Sequence, residues 1–445
     1  MNNTVTDYAL LPLEKVSVWM WLAIVLATVM FLAFWRRDAQ RWGVISFNSW
    51  FFGYGFYLKI FLMYPFALSL ENIRVVGRSF ETVLENLDHA FVITLGGIVC
   101  MLIGMALSRL SPRPHLRVAD LIFDALRRGW FTRVGAFLAA LIAISMSLLL
   151  LTLGFQVFAG RTLVFERPEL RPIFNLWYEV VPFCAIVLIL WGVAAKKRTT
   201  LWIGVAVLGL GFIGGTRTTV ILTAVTAGIC VAMVHRLRRT WLLIFGAVAL
   251  LGVAVLMKQL RDGDVSQQIS FGRQLSSTFY NGDISDLREF AWTLSGFDDQ
   301  SFYYGRTYVA GWLAFIPSYI SDFRTTYGIG RVTARLAGLD PDFHSGLRPP
   351  VFGEPYLNFG WVGVILGGLW YGFVVGRLMR WIRQGVDQDV GVDRYARVWA
   401  GFLMLQIIDA VIFSGAFFAV YILAALLMVG RLIGRGERRR GLQAT

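Results

Sequence analysis

The sequence predicts an all-α polytopic membrane protein, with about eleven helices crossing the bilayer and one large external loop, and three observations carry that reading. Hydrophobic residues make up 57% of the 445 and charged residues 16%, against roughly 45–50% and about 25% in soluble globular domains. Apolar runs long enough to cross the roughly 30 Å hydrocarbon layer recur along the chain. Cations collect in the short segments between those runs, as sidedness in a membrane protein requires. With a mean hydropathy of +0.62, 16 Trp and 35 Phe, a water-soluble fold would expose far too much apolar surface. Disordered, fibrous and disulfide-stapled classes are excluded as well. Cys100, Cys184 and Cys230 all lie in apolar stretches, as small packing residues do.

The runs fall at 16–35, 43–70, 90–110, 134–158, 173–195, 199–215, 218–235, 241–257, 359–381, 398–415 and 416–434. The first follows a mostly polar start with no clear small-residue cleavage site and reads as a retained helix. Residues 199–235 read either as two helices or as one broken helix, and 398–434 leaves room for a re-entrant turn at Ser414-Gly415. The expected organisation is 1–257 as the first eight spans, 258–358 as a large loop with short amphipathic helices, and 359–445 as three spans and a basic tail.

Arg431, Arg435, Arg438, Arg439 and Arg440 set the C-terminus in the cytoplasm. An odd number of crossings then sets the N-terminus on the opposite, external side. Walking back, Arg36-Arg37, the 109–133 stretch, Lys196-Lys197-Arg198, Arg236 to Arg239 and 377–397 fall inside, with a large excess of Lys and Arg, while the external segments are nearly balanced. The net charge of +14 is therefore topological and does not point to nucleic acid. The 37 Arg against 5 Lys fit either biased codon usage or ligands bearing phosphate and sugar oxygens, which suit the guanidinium fork.

Residues 258–358 are too aromatic for a linker. Apolar spacing from Asp286 to Ser295 and from Tyr308 to Ile320 predicts short amphipathic helices lying at the outer interface. Near the end of this loop stands His344, with Arg324, Arg331, Arg335 and Arg348 around it in sequence. The set is either a solvated loop balanced by Asp322, Asp340, Asp342 and Glu354, or an anion site. In the second case guanidinium forks bind phosphate oxygens bidentately. Neighbouring positive charge keeps the imidazole neutral, so that His344 can act as a general base toward a hydroxyl.

Arg217, in Gly214-Gly215-Thr216-Arg217, together with Lys258 and Arg261, stands at external helix ends. These cations either snorkel or converge beneath the loop as further ligands. Apart from the Arg residues at their cytoplasmic ends, the apolar runs carry charge only at Lys59, Glu179 and Asp409. No phosphate-binding glycine loop, Cys/His metal spacing or nucleophile elbow is present, so neither a cofactor nor a metal is expected.

The run Gly353-Glu354-Pro355-Tyr356-Leu357-Asn358-Phe359-Gly360, followed by Gly363, Gly367 and Gly368, resembles the start of a late helix in bacterial oligosaccharide repeat-unit polymerases, the Wzy-type O-antigen polymerases. Gly214-Gly215-Thr216-Arg217 looks like their middle motif. Gly305-Arg306-Thr307-Tyr308, leading to Phe315-Ile316-Pro317, looks like their Gly-x-x-Tyr to Ile-Pro stretch. The Arg-x10-Gly spacing seen in such polymerases occurs at Arg217/Gly228 and Arg335/Gly346. His344-Ser345 ahead of Gly353 to Tyr356 resembles a pattern these enzymes share with the O-antigen ligases, across a shorter gap here.

The resemblance implies a metal-independent membrane glycosyltransferase of the GT-C superfamily. Its donor and acceptor would be glycans linked to undecaprenyl pyrophosphate, with membrane lipids and a chain-length-regulating co-polymerase as further partners. It implies His344 as the base for the acceptor hydroxyl, and Arg217 and Arg335 as ligands of the departing pyrophosphate. Arg261, Arg288 and Arg348 join the substrate-binding candidates on charge alone. Glu354 either binds sugar hydroxyls or holds an Arg in an ion pair, and Tyr356, in the same motif, is a candidate glycan contact. An O-antigen ligase is the near alternative. A lipid-linked oligosaccharide flippase is the non-enzyme one, although a transporter would place charged groups on broken helices in matched halves, and no halves match.

Overall fold

The computed structural model describes residues 17–64, 80–111, 116–154, 167, 170–213, 217–239, 246, 252, 286–298, 301–316, 320–342, 344 and 346–443. Among these residues all regular structure is helical, and six helices are long and apolar enough to cross a membrane. The first is α1 (Val18–Trp42), capped by the Ser17 hydroxyl on the Met20 amide. After it α2 (Phe47–Phe52) opens in a Ser46/Ser49 capping box and continues without a break as a π-helix, Gly53–Leu62. The next long helices are α3 (Phe80–Ser108) and, beyond a short α4 (Arg117–Arg127), α5 (Trp130–Leu153). Then come α6 (Arg171–Ala194), with Pro182 in its interior, α7 (Arg198–Ile213) and α8 (Arg217–Val234). The chain ends with α13 (Gly353–Gln388), α14 (Val392–Ile412) and α15 (Phe417–Gln443).

Polar contacts sort the helix ends into two groups. At one end, dense in Arg, Asp387 holds Arg41 at 3.1 Å and Arg236 at 3.0 Å. There Arg397 pairs with Asp389 at 2.8 Å, and the Trp381 indole donates to Asp120 at 2.8 Å. At the opposite end Lys59 meets Asp286 at 2.9 Å, and Ser414 meets Glu354. Successive long helices therefore run alternately from one end to the other. The second end carries a cap of four short helices: α9 (Asp286–Leu294), α10 (Arg306–Trp312), α11 (Asp322–Tyr327) and α12 (Ile329–Leu336).

The tightest pairing in the bundle joins α3 to α13. Gly368, Gly372 and Gly376 recur every fourth residue and so share one face of α13. A Cβ at Gly372 would run into the Met101 carbonyl, and one at Gly376 into the Ser108 hydroxyl. Without a hydrophobic drive between helices in lipid, close backbone approach of this kind supplies the packing energy.

Several expectations shift in detail. The 199–235 stretch gives separate helices α7 and α8, and the 398–434 stretch breaks at a 3-10 turn over Ser414–Ala416. The run at 90–110 begins earlier, at Phe80, because Glu85, Asp88 and His89 sit on the helix end outside the apolar core. An unexpected helix, α4, lies in the basic 109–133 stretch with Ala119, Ile122, Phe123 and Leu126 buried on one stripe. The run at 241–257 lies outside the described residues except for Gly246 and Gly252, both helical.

Candidate functional site

The cap is tied to the bundle by one buried carboxylate. Glu354, in the first turn of α13, is 0% exposed. Its oxygens accept from the Thr307 hydroxyl at 2.6 Å, the Ser414 hydroxyl at 2.5 Å and the Ser414 amide at 2.7 Å. One turn on, the Asn358 amide donates to the Thr307 hydroxyl at 2.7 Å and accepts from the Gly305 N–H at 2.9 Å. The amides of Tyr303 and Tyr304 donate to the carbonyls of Leu357 and Asn358. So the Gly305 to Tyr308 and Gly353 to Gly360 motifs, some fifty residues apart in sequence, form one hydrogen-bonded knot. Gly360, at φ 58, then breaks the helical path, a backbone state only glycine adopts without strain. Glu354 is thus held by Thr307 and Ser414, and among the described residues no Arg stands at ion-pair distance from it.

Tyr356 is 3% exposed and sits in an aromatic surround of Phe290, Phe297, Phe302 and Trp361. Its hydroxyl lies 3.3 Å from His89 Nε2 on α3. Both belong to the interior of the cap-bundle junction.

The loop that carries His344 lies on α12. Thr333 accepts from the Leu347 amide at 2.9 Å, and Gly346, at φ 96, approaches the Gly330 backbone so closely that a Cβ would collide. The exposed His344 imidazole accepts the Gly346 N–H through Nδ1 at 3.0 Å. In a neutral ring this bond leaves the proton on Nε2. Beside it Arg331 pairs with Asp342 at 2.6 Å. The Arg348 amide donates to the Glu289 carboxylate, and Arg348 lies within Coulombic range of Lys59. Burial pushes the Glu289 carboxyl above the ordinary range, with the Arg348 N–H acting against it.

A second cationic group gathers on the same cap. Arg306 lies 5.3 Å over the Tyr327 ring and donates to its hydroxyl at 3.2 Å. Arg335, exposed, caps α11 through the Thr325 and Thr326 carbonyls and lies near Tyr303, whose phenol is pushed up by burial against the opposing charge of Arg335. Among the described residues neither Arg306 nor Arg335 has a carboxylate at ion-pair distance. Arg288 is 6% exposed on α9, next to Glu289. The structure therefore gathers His344, Arg331, Arg335, Arg348 and Arg288 on one cap. Arg261 and the Arg217 side chain lie outside the described residues, although Arg217 opens α8. Among the described residues no three His, Cys, Asp or Glu side chains group as a metal site.

Sequence reasoning missed Arg306, Tyr327, Thr307, Asn358, Ser414 and His89 as parts of this region. Arg306 and Thr307 stood inside a quoted motif, but its partners are fixed only by the fold. Of the charges inside apolar runs, Lys59 pairs with Asp286 and Asp409 accepts from the Tyr371 hydroxyl at 2.7 Å, while the Glu179 side chain lies outside the described residues.

Searches of curated proteins and of solved structures return no match. The family model for O-antigen polysaccharide polymerase Wzy matches residues 23–408, taking in most of the bundle and the whole cap. On that match the chain belongs to the Wzy O-antigen polysaccharide polymerase family.

Proposed function

We propose that this membrane protein polymerises oligosaccharide repeat units carried on undecaprenyl pyrophosphate, with its cap and active site on the periplasmic face of the inner membrane. Family membership supports the polymerase activity. The observation that carries the finer reading is the knot of Glu354, Thr307 and Ser414, which fixes Arg306 and, through α11 and α12, the neighbourhood of Arg335 and His344. The acceptor hydroxyl oxygen attacks the anomeric carbon of the donor glycan. The bond from that carbon to the pyrophosphate oxygen breaks, and undecaprenyl pyrophosphate leaves with the electron pair.

Arginines are suited to that leaving group because its charge develops in the transition state, where preorganised cations act most strongly. Arg335 and Arg217 serve as its ligands, with Arg261, Arg288 and Arg348 contributing further positive charge. His344 takes the acceptor proton on Nδ1, which requires the Gly346 N–H to let go as substrate enters. No metal takes part. Glu354 and Tyr356 act on this site by positioning rather than by touching the sugar.

The eleven apolar runs of the sequence are eleven crossings in a GT-C-like bundle. The units are 1–257, 258–358 and 359–445, with the N-terminus periplasmic and the C-terminus cytoplasmic. A chain-length-regulating co-polymerase is its partner.

The test is complementation of a deletion strain with wild type and with His344→Ala. Wild type is expected to restore a glycan ladder. His344→Ala is expected to give chains of one repeat only, with the variant present at normal level in the membrane. Long chains made by His344→Ala overturn the base assignment. If the deletion instead removes attachment to the lipid A core the protein is a ligase, and if it removes all external product, a flippase.

A further inference from the structure

At the Arg-dense end the junction of α3 and α13 concentrates charge that the polymerase reading does not use. Arg380 donates to the Ser111 carbonyl at 3.0 Å and to the Ser108 carbonyl, closing the C-terminus of α3. Its guanidinium lies within Coulombic range of Arg377 and Arg109, and that of Arg383 within range of Arg109 and Arg41. Among the described residues the opposing charge around Arg109, Arg380 and Arg383 is small. Asp38 meets Arg383 at 3.5 Å but is itself 6% exposed and held by Ser46 and Asn48. Asp387 is taken up by Arg41 and Arg236. Among the described residues neither Arg109 nor Arg380 has a carboxylate at ion-pair distance. The Nε of Arg380 and that of Arg383 are buried without a hydrogen-bond partner.

Beside this cluster α3 and α13 carry exposed apolar side chains. Leu102 lies on α3 seven residues before Arg109, which stands in the turn just after that helix, and Trp370 two turns before Arg377 on α13. Leu102, Leu107, Leu110, Leu366 and Trp370 are all exposed.

We propose that Arg109, Arg377, Arg380 and Arg383 bind the phosphate of an anionic phospholipid in the leaflet at this end, with its acyl chains along the α3–α13 wall. Guanidinium forks match phosphate oxygens, and a bound phosphate relieves the mutual repulsion of cations that the fold has brought together. The site is separate from the cap and does not depend on the polymerase reading.

Native mass spectrometry of delipidated protein in a neutral maltoside detergent tests it. Cardiolipin and dioleoylphosphatidylglycerol are expected to be retained as adducts, and dioleoylphosphatidylcholine is not. Because Arg380 caps α3, the informative variant is Arg109→Gln/Arg377→Gln, which keeps that cap. Two basic residues lost near an anionic surface should weaken anionic-lipid retention roughly thirty-fold. Arg109→Lys/Arg377→Lys should retain most of the affinity, and Arg36→Gln/Arg37→Gln should match wild type. Equal retention by the Gln double variant, equal loss in the Arg36/Arg37 control, or phosphatidylcholine binding as well each overturns the proposal. Displacement of the lipid by an equal concentration of inorganic phosphate also overturns it, making this a free-anion site.

Discussion

Glu354 carries the clearest energetic consequence of any one side chain. A buried carboxylate is tolerated only when its lone pairs are met by donors, and here Thr307 and Ser414 meet them. Glu354→Ala would strand two hydroxyls and an amide and is expected to cost roughly 2–4 kcal/mol. Glu354→Gln keeps the size and one acceptor and should cost less. Thermal unfolding in detergent measures both, and an Ala variant as stable as wild type would show that the knot does not hold the cap. His344 is the contrasting case. It is exposed and accepts the Gly346 N–H of its own loop, so its removal should move activity and leave unfolding close to wild type.

At the scale of helices, the α3–α13 contact and the α9 cap segment make separate demands. Gly372→Val puts branched carbon where the Met101 carbonyl already lies. It is expected to lower folded yield and unfolding temperature sharply, whereas Gly209→Val, which has open space around it, should behave as wild type in the same size-exclusion and melting assays. On α9, burial raises the Glu289 pKa, aided by the charge of Asp286 and opposed by Arg288 and Arg348. A raised carboxyl pKa favours the protonated folded form, so this group stabilises most at acid pH, below its unfolded value, and that contribution is lost as pH rises through the folded value. Glu289→Gln should therefore stabilise the protein near neutral pH, with the advantage vanishing in acid. A constant difference across a pH series of melts would overturn this.

Helices of this kind are largely readable from sequence because length and hydropathy dictate them. The runs at 134–158, 173–195, 199–215 and 218–235 each correspond to a helix. What escaped is what does not announce itself as a long apolar run. Helix α4 is short and one-sided, the π-helix at Gly53–Leu62 looks like any apolar stretch, and the break at Gly360 depends on a single dihedral. The candidate site shows the same split. The residues of the cap were recognisable by type and by motif, but their bonding was not. Thr307 and Glu354 are 47 positions apart and Ser414 a further 60 beyond Glu354, and no local pattern encodes such meetings.

Taken as a whole, the molecule separates its charge by end. One end stacks cations on aromatic rings, as where Arg397 lies 3.8 Å over Phe123 and 4.3 Å over Trp381. The other end spreads its cations over a cap on which Trp312, Phe315 and Ile320 are exposed. A mechanism resting on guanidinium and imidazole groups alone predicts that purified protein keeps its polymerising activity in excess chelator. Activity silenced by chelation and restored by Mn²⁺ would sink that prediction.

The turn at Ser414 also sets an order in time. Ribosomes deliver the Glu354 end of α13 after Thr307 but well before Ser414, so during synthesis the carboxylate has one donor at hand and waits for the two that Ser414 brings. A nascent chain halted before Ser414 would already have every cap helix and the Thr307 side of the knot, yet not the Ser414 side that joins it to the end of α14. Maturation of the enzyme is thereby tied to the arrival of its final two membrane segments.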